Sequence, residues 1–296
     1  MVKHLRERDE PGEFFSQKIH QRAEQIDKRD RVILKNEEER QVFEEVFDRQ
    51  TLMILYELSN RGEFAYLNGV VSSGKEARVY AGVKADGADV AVKIYLVASS
   101  DYKRRMQYVI GDPRFTKIRR DSRGIAELWA RKEFTNLNAA YEARAPVPKP
   151  FAFLGNVVVM EFIGIGGVPA PRLIDREVTK KDYLMTLKAL RAVYRGARLV
   201  HSDLSEYNIM KYDKKIILFD FSSAVSVLHP MAQEYLKRDV TNVNRFFGKR
   251  GIDVKDDELL IGSLNRGIKI APRAGREEEQ EEGGGGGRKQ EVERVR

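Results

Sequence analysis

The sequence predicts an α+β fold of two lobes, a small β-rich first lobe and a mainly helical, reduced second lobe. Three observations carry this. Ala77 to Val83 and Asp89 to Tyr95 are strand-like runs flanking Lys84-Ala-Asp-Gly-Ala, where Asp86-Gly87 supplies the turn of a hairpin. A helical pattern over about 125–142 and a strand near 157–161 complete the first lobe. Beyond about Gly164, a long helix from Lys180 to Arg198 opens on the capping pattern Thr179-x-x-Asp182 and closes near Gly196.

Taken in order, residues 1–49 are charge-dense, with helical stretches such as Glu37 to Phe47, and read as a peripheral extension. The first lobe spans 50–163. It starts with a helix over Gln50 to Leu58, whose Leu52, Leu55 and Tyr56 share one face, and a break at Gly62. Residues 103–123 carry eight basic side chains (Lys103, Arg104, Arg105, Arg114, Lys117, Arg119, Arg120, Arg123) against Asp112 and Asp121, and contain Gly111 and Pro113; this stretch reads as a mobile basic insertion. Pro146 to Pro150 reads as a linker, and 164–255 as the second lobe. In 256–296, Glu277 to Glu282 and five following glycines have nothing to bury, so this tail is expected to be largely disordered.

Composition sets outer bounds. With 296 residues, 42% of them hydrophobic, the chain can build a sizeable core. It has no cysteine, which excludes disulfides, thiolate metal sites and cysteine nucleophiles. The N-terminal residues are charged where a signal peptide is apolar, and apolar runs such as Val157 to Met160 are too short to cross a bilayer, so a soluble cytoplasmic protein with no membrane partner is expected. A net charge of +8 suits a phosphate-rich partner, although mixed charges also make a well-solvated surface. The four histidines, at 4, 20, 201 and 229, are too scattered for a metal site.

The residues with chemical potential fall in three places. In Asp89-Val-Ala-Val-Lys93-Ile-Tyr, strand alternation puts Val90, Val92 and Ile94 on one face and Lys93, Ala91 and Tyr95 on the other. On the following helix, Glu133 interrupts the apolar stripe Ala126, Ala130, Leu137, Ala140, so it either pairs with a buried cation such as Lys93 or sits solvated at the stripe's edge. Next, His201-Ser-Asp203-Leu-Ser-Glu-Tyr-Asn208 matches the catalytic-loop pattern of protein kinases, in which the aspartate orients or deprotonates the acceptor and the asparagine holds magnesium. Two short strand-like runs follow around Asp213-Lys214-Lys215. Pairing Tyr212 with Ile216 would set Asn208 opposite Asp220 as two oxygen ligands, which suffices for magnesium completed by phosphate and water. Upstream, Val71-Ser-Ser-Gly74-Lys75 before a strand can cradle phosphate, although it is neither a Walker A loop nor a full glycine-rich kinase loop.

Together Ser73-Gly-Lys-Glu-Ala, Gly111-Asp-Pro-Arg-Phe115, Met160-Glu-Phe-Ile-Gly164, the octapeptide ending at Asn208, and His229-Pro-Met-Ala resemble the RIO family of atypical serine/threonine protein kinases, its RIO-one branch best, over about 51–251. The resemblance implies a reduced protein-kinase-like fold using ATP and magnesium, with manganese as an alternative. Lys93, paired with Glu133, would contact the ATP phosphates, and Ser72, Ser73 and Lys75 would cover them. The backbone of Glu161 and Ile163 would read adenine, with Met160 behind. Asp203 would be catalytic, Asn208 and Asp220 metal ligands, and Asp220 a candidate phosphoacceptor in an ATPase cycle. It also implies work on the maturing small ribosomal subunit, with its RNA and proteins as partners. The chain departs from the family in having Ser223 where a glutamine is usual. Like the family, it departs from ordinary kinases in lacking Ala-Pro-Glu after Asp220. The competing readings are a non-catalytic ATP-binding ribosome assembly factor and a general RNA-binding protein.

Overall fold

The computed structural model describes residues 47–97, 106–116 and 118–268. The extension up to residue 46, Lys103, Arg104, Arg105, Lys117 and the acidic and glycine-rich tail from residue 269 lie outside the described residues.

The first lobe is a five-stranded antiparallel sheet in the order β1-β2-β3-β5-β4, from β1 (Tyr66–Ser73), β2 (Ala77–Val83), β3 (Asp89–Tyr95), β4 (Pro150–Leu154) and β5 (Val157–Glu161). The expected hairpin forms at the expected bounds, with Val83 paired to Asp89 and Ala77 to Tyr95. Helix α1 (Arg49–Asn60), capped by Asp48, covers the outer face, and its Leu55 and Leu58 are buried with Val90, Val92 and Ile94. Helix α2 (Ser122–Glu142), capped by Asp121, crosses the inner face. It starts three residues before the expected position because the Asp121 side chain takes the Gly124 amide. Strand β4 begins at Pro150, the last residue of what read as linker, and that proline sits at an irregularity on the sheet edge, where proline is tolerated.

Alternation along β3 separates two apolar clusters. The outer one belongs to the sheet and α1, while the inner one runs from Ala91 and Tyr95 through α2 into the second lobe. That lobe holds the small hairpin β6 (Gly164–Ile165) and β7 (Val168–Pro169), helix α3 (Lys180–Arg191), strand β8 (Leu199–Val200), β9 (Ile209–Tyr212) paired with β10 (Lys215–Leu218), and β11 (Val225–Ser226) against β8. Helices α4 (Ala232–Lys249) and α5 (Asp257–Asn265) follow. Helix α3 opens on the anticipated capping box, with Thr179 and Asp182 satisfying each other's backbone amides. It gives way at Ala192 to a π-helical turn that ends at Gly196.

Three expectations are corrected. First, the β9–β10 register is one residue off the anticipated one. Asp213 and Lys214, at φ 45° and 60°, form a two-residue turn suited to the right-handed twist, so Tyr212 faces Lys215 instead of Ile216. Asn208 therefore meets Phe219, whose N–H donates to its carbonyl at 3.1 Å, and Asp220 lies one residue further on. Second, much of 103–123 is packed: Tyr108, Val109, Asp112 and Phe115 are buried, and 122–123 belong to α2. The basic Arg114 is consumed locally, donating to Asp112 from both Nε (2.9 Å) and Nη2 (2.7 Å). Third, the second lobe runs past residue 255. Helix α5 buries Leu260 and Leu264, and its Asn265 accepts from Tyr194 at 2.5 Å.

Gly111 ties the packed part of the basic segment to the start of α4. Its φ is +90°, and a Cβ there would sit 2.9 Å from Pro230 Cδ. Replacing it with alanine should cost about 1–3 kcal/mol through backbone strain and that collision. Denaturant unfolding of Gly111→Ala measures this, and an unchanged midpoint would show that the joint carries no strain.

Candidate active site

The site forms where β3, α2 and the segment after β10 meet. Strand alternation turns Lys93 to the inner face, where its Nζ donates to Glu133 Oε1 at 2.8 Å and to Asp220 Oδ1 at 3.1 Å. Glu133 is 2% exposed, so of the two readings left open by the sequence, pairing is the one realised. Its other oxygen accepts from Tyr95 Oη at 2.6 Å, and Ser222 Oγ donates to Asp220 Oδ1 at 2.6 Å. Burial alone would lower the Lys93 pKa, but the Asp220 and Glu133 carboxylates outweigh it and drive the value up, so the ammonium persists. Burial raises the Glu133 carboxyl against the pull of Lys93, and raises the Tyr95 hydroxyl, which stays a donor. Asp220 itself adopts the left-handed conformation, φ 61° and ψ 71°, which directs the chain out of β10 and into the turn Phe221–Ser223.

That turn is fastened to α2. Asn136 Nδ2 donates to the carbonyls of Phe221 (2.9 Å) and Ala224 (2.8 Å), and the wholly buried Lys132 ammonium donates to those of Ser222 and Ala224. One helix therefore holds both the glutamate that receives Lys93 and the backbone that presents Asp220.

The Asp203 loop is fixed by its backbone. Ser202 is left-handed at φ 67°, and the buried Asp239 carboxylate of α4 accepts from the amides of Ser202 (2.8 Å) and Leu204 (2.9 Å), bracketing Asp203. On the same helix, Arg238, immediately before Asp239, donates to the Ser202 carbonyl, and Asn242, about one turn after it, to that of Leu204. Asn208 Nδ2 donates to the Asp203 carbonyl at 2.8 Å and to its Oδ2 at 3.2 Å. Buried His201 braces the loop, its Nε2 meeting the Phe219 carbonyl at 3.1 Å, just ahead of Asp220.

The remaining sequence candidates lie on the first lobe. Ser72, Ser73 and Lys75 are exposed at the β1–β2 turn, where the Gly74 amide donates to the Ala77 carbonyl. Glu161 is exposed at the end of β5 and its amide donates to Lys149; the Ile163 carbonyl is taken by the Ala170 amide at 2.8 Å. Sequence reading missed Tyr95 and Ser222 as members of the charged cluster, and missed Lys132, Asn136 and Asp239. Of these, Asp239 carried a signal: an acid at a core position of an amphipathic helix, flanked by Leu236 and Val240.

A lysine held between a helix glutamate of one lobe and an aspartate of the other, facing an Asp–Asn loop, defines a protein-kinase-like fold. The RIO domain family matches residues 78–259. A Haloferax volcanii protein named RIO-type serine/threonine-protein kinase Rio1 is 41% identical over 231 residues, covering 77% of this chain and 79% of that one. The Caenorhabditis elegans serine/threonine-protein kinase RIO1 is 36% identical over 242 residues, and the match spans 48% of its length. The Chaetomium thermophilum Rio2 kinase, solved as an ADP/Mg2+-phosphoaspartate complex, shares the fold with a TM-score of 0.53 at 23% identity, over 71% of this chain and 65% of that one. The chain belongs to the RIO family of atypical serine/threonine protein kinases, in its Rio1 branch.

Asp239 gives this site a pH signature. Burial raises its carboxyl from an ordinary 3.8 to about 7, against the pull of two amide donors. The folded protein therefore holds this proton more tightly than the unfolded chain, so its contribution to stability is complete below about pH 4 and is lost as pH rises through about 7. Asparagine cannot titrate. The melting temperature of wild type relative to Asp239→Asn should fall as pH rises from 4 to 7 and level off above; a difference independent of pH would contradict the assignment.

Proposed function

We propose that the protein binds Mg-ATP and transfers the γ-phosphoryl group to a protein serine or threonine, to Asp220, or to water. The observation that carries this reading is Lys93 Nζ held between Glu133 and Asp220. A persistent ammonium fixed by two carboxylates is placed to receive phosphate oxygens without moving. Ser72, Ser73 and Lys75, exposed at the β1–β2 turn, would cover the phosphates with backbone amides and one further cation. Adenine would lie against Met160 and bond to the backbone of Glu161 and the amide of Ile163, whose carbonyl is already engaged.

The donor set fits a hard cation. The Asp220 carboxylate and the amide oxygen of Asn208, whose nitrogen is committed to Asp203, would hold magnesium, or manganese as an alternative. When bound, the cation neutralises charge on the phosphate oxygens. Asp203, with its backbone clamped on both sides, would orient the acceptor hydroxyl and take its proton. Attack by an Asp220 oxygen instead would form an acyl phosphate and release ADP, and hydrolysis of that acyl phosphate would complete an ATPase cycle. Lys93, Glu133, Asp203, Asn208 and Asp220 are all present, so the non-catalytic reading has no observation in its favour. Membership of the family and the net charge of +8 support action on the maturing small ribosomal subunit, where RNA would be the phosphate-rich partner.

Incubation with ATP labelled at the γ-phosphate tests this. Asp203→Ala should lower turnover by about 100-fold or more while Mg-ATP still binds. Label that is removed by hydroxylamine and absent from Asp220→Asn would place an acyl phosphate on Asp220, and hydroxylamine-resistant label would point to a hydroxyl acceptor. Full turnover by Asp203→Ala would refute the reading.

A further inference from the structure

Two motifs remain outside the nucleotide constellation, residues 111–115 and 229–232, and the structure joins them. The buried Asp112 carboxylate accepts from the Arg114 amide (3.1 Å), from its guanidinium, and from the Ser226 amide (3.3 Å). His229, also buried, bonds through Nε2 to the Ile110 carbonyl at 2.9 Å and accepts the Met231 amide on Nδ1 at 3.1 Å. Gly111 is pressed against Pro230. Outwardly this polar-pinned frame presents apolar side chains: Ile110 is 65% exposed, Leu228 50% and Met231 42%. Large apolar groups fixed in water on a rigid frame mark an interaction surface.

Its position points to the partner. Tyr108, two residues before Ile110, accepts from Arg238 Nη2 at 3.2 Å, and the same nitrogen donates to the carbonyl of Ser202, which precedes Asp203. Arg238 therefore links the segment that carries Ile110 to the residue preceding Asp203. Only residues 221–231 separate Asp220 from α4, and they are spent on the turn at Phe221–Ser223, strand β11 and the joint itself. Among the described residues no longer segment follows Asp220 to receive a substrate chain. Arg238 is exposed, stacked on Tyr235 at 5.1 Å, and adds a cation at the edge of the loop.

We propose that the Ile110, Leu228 and Met231 surface docks the polypeptide acceptor. It would take an apolar residue of a segment whose serine or threonine reaches Asp203, and Arg238 would favour an acidic residue near that hydroxyl by charge complementarity. This rests on the phosphotransferase reading.

The test uses the full chain, an oriented library of serine peptides with one position fixed at a time, and acceptor-free ATP hydrolysis as a parallel assay. Wild type should select large apolar residues at one or two positions and an acidic residue at another. Ile110→Glu and Met231→Glu, at exposed positions, should lose the apolar selection and lower kcat/KM for apolar-containing peptides about tenfold through KM. Acceptor-free hydrolysis should stay as in wild type. Unchanged selection in both variants, or no labelled peptide from a wild type that turns over ATP, overturns the docking site alone. A wild type unable to turn over ATP overturns the phosphotransferase reading and the docking site with it. Should the variants instead convert a wild-type dimer to monomer in sedimentation while peptide selection is unchanged, the surface joins two copies and the proposal fails.

Discussion

The structure depends on one buried ammonium. Lys93 is 9% exposed, and a charge so enclosed would cost several kcal/mol if left unpaired, so its position is tolerable only while Glu133 and Asp220 stay within reach. Those two carboxylates sit on different elements, the crossing helix α2 and the segment after β10. Holding Lys93 thus requires the sheet, the helix and the second lobe to be correctly assembled. Tyr95 and Ser222 extend the same requirement, each donating to a carboxylate that Lys93 also contacts.

Around this centre the backbone is positioned by helices. Helix α2 holds Asp220 through Asn136 and Lys132, while α4 holds Asp203 through Arg238, Asp239 and Asn242. Two residues at the chemical centre, Ser202 and Asp220, adopt left-handed backbone conformations that are unfavourable for a side chain, and each is secured by neighbouring side chains or carbonyl contacts. The second lobe is reduced, yet the connection from Asp220 to α4 is short and fastened at Asp112 and His229, so little of that path is left unsupported.

What the sequence made legible is what local pattern encodes. The hairpin bounds follow from alternation and a Gly turn and the opening of α3 from its capping residues, while the Lys93–Glu133 pair is one of the two readings that the place of Glu133 in an apolar stripe leaves open. The failures share a different cause. The β9–β10 register turned on whether two or three residues make the turn, a choice settled by left-handed Asp213 and Lys214, neither of them glycine. The basic count over 103–123 concealed the buried Tyr108, Val109 and Phe115: Tyr108 meets Arg238 and Tyr235 of α4, far along the chain, and Phe115 lies against Arg131 and Lys132 of α2. Asp239 reads locally as a helix residue and acquires its role only when α4 packs beneath the Asp203 loop.

The most direct measurement of the central claim is Mg-ATP binding by calorimetry, with turnover, for Glu133→Gln against wild type. The substitution keeps shape and removes one of the two charges that hold Lys93. The account predicts a folded variant whose Mg-ATP affinity and turnover both fall by about tenfold or more, as expected when a buried pair is broken. Wild-type affinity and turnover in that variant would contradict it.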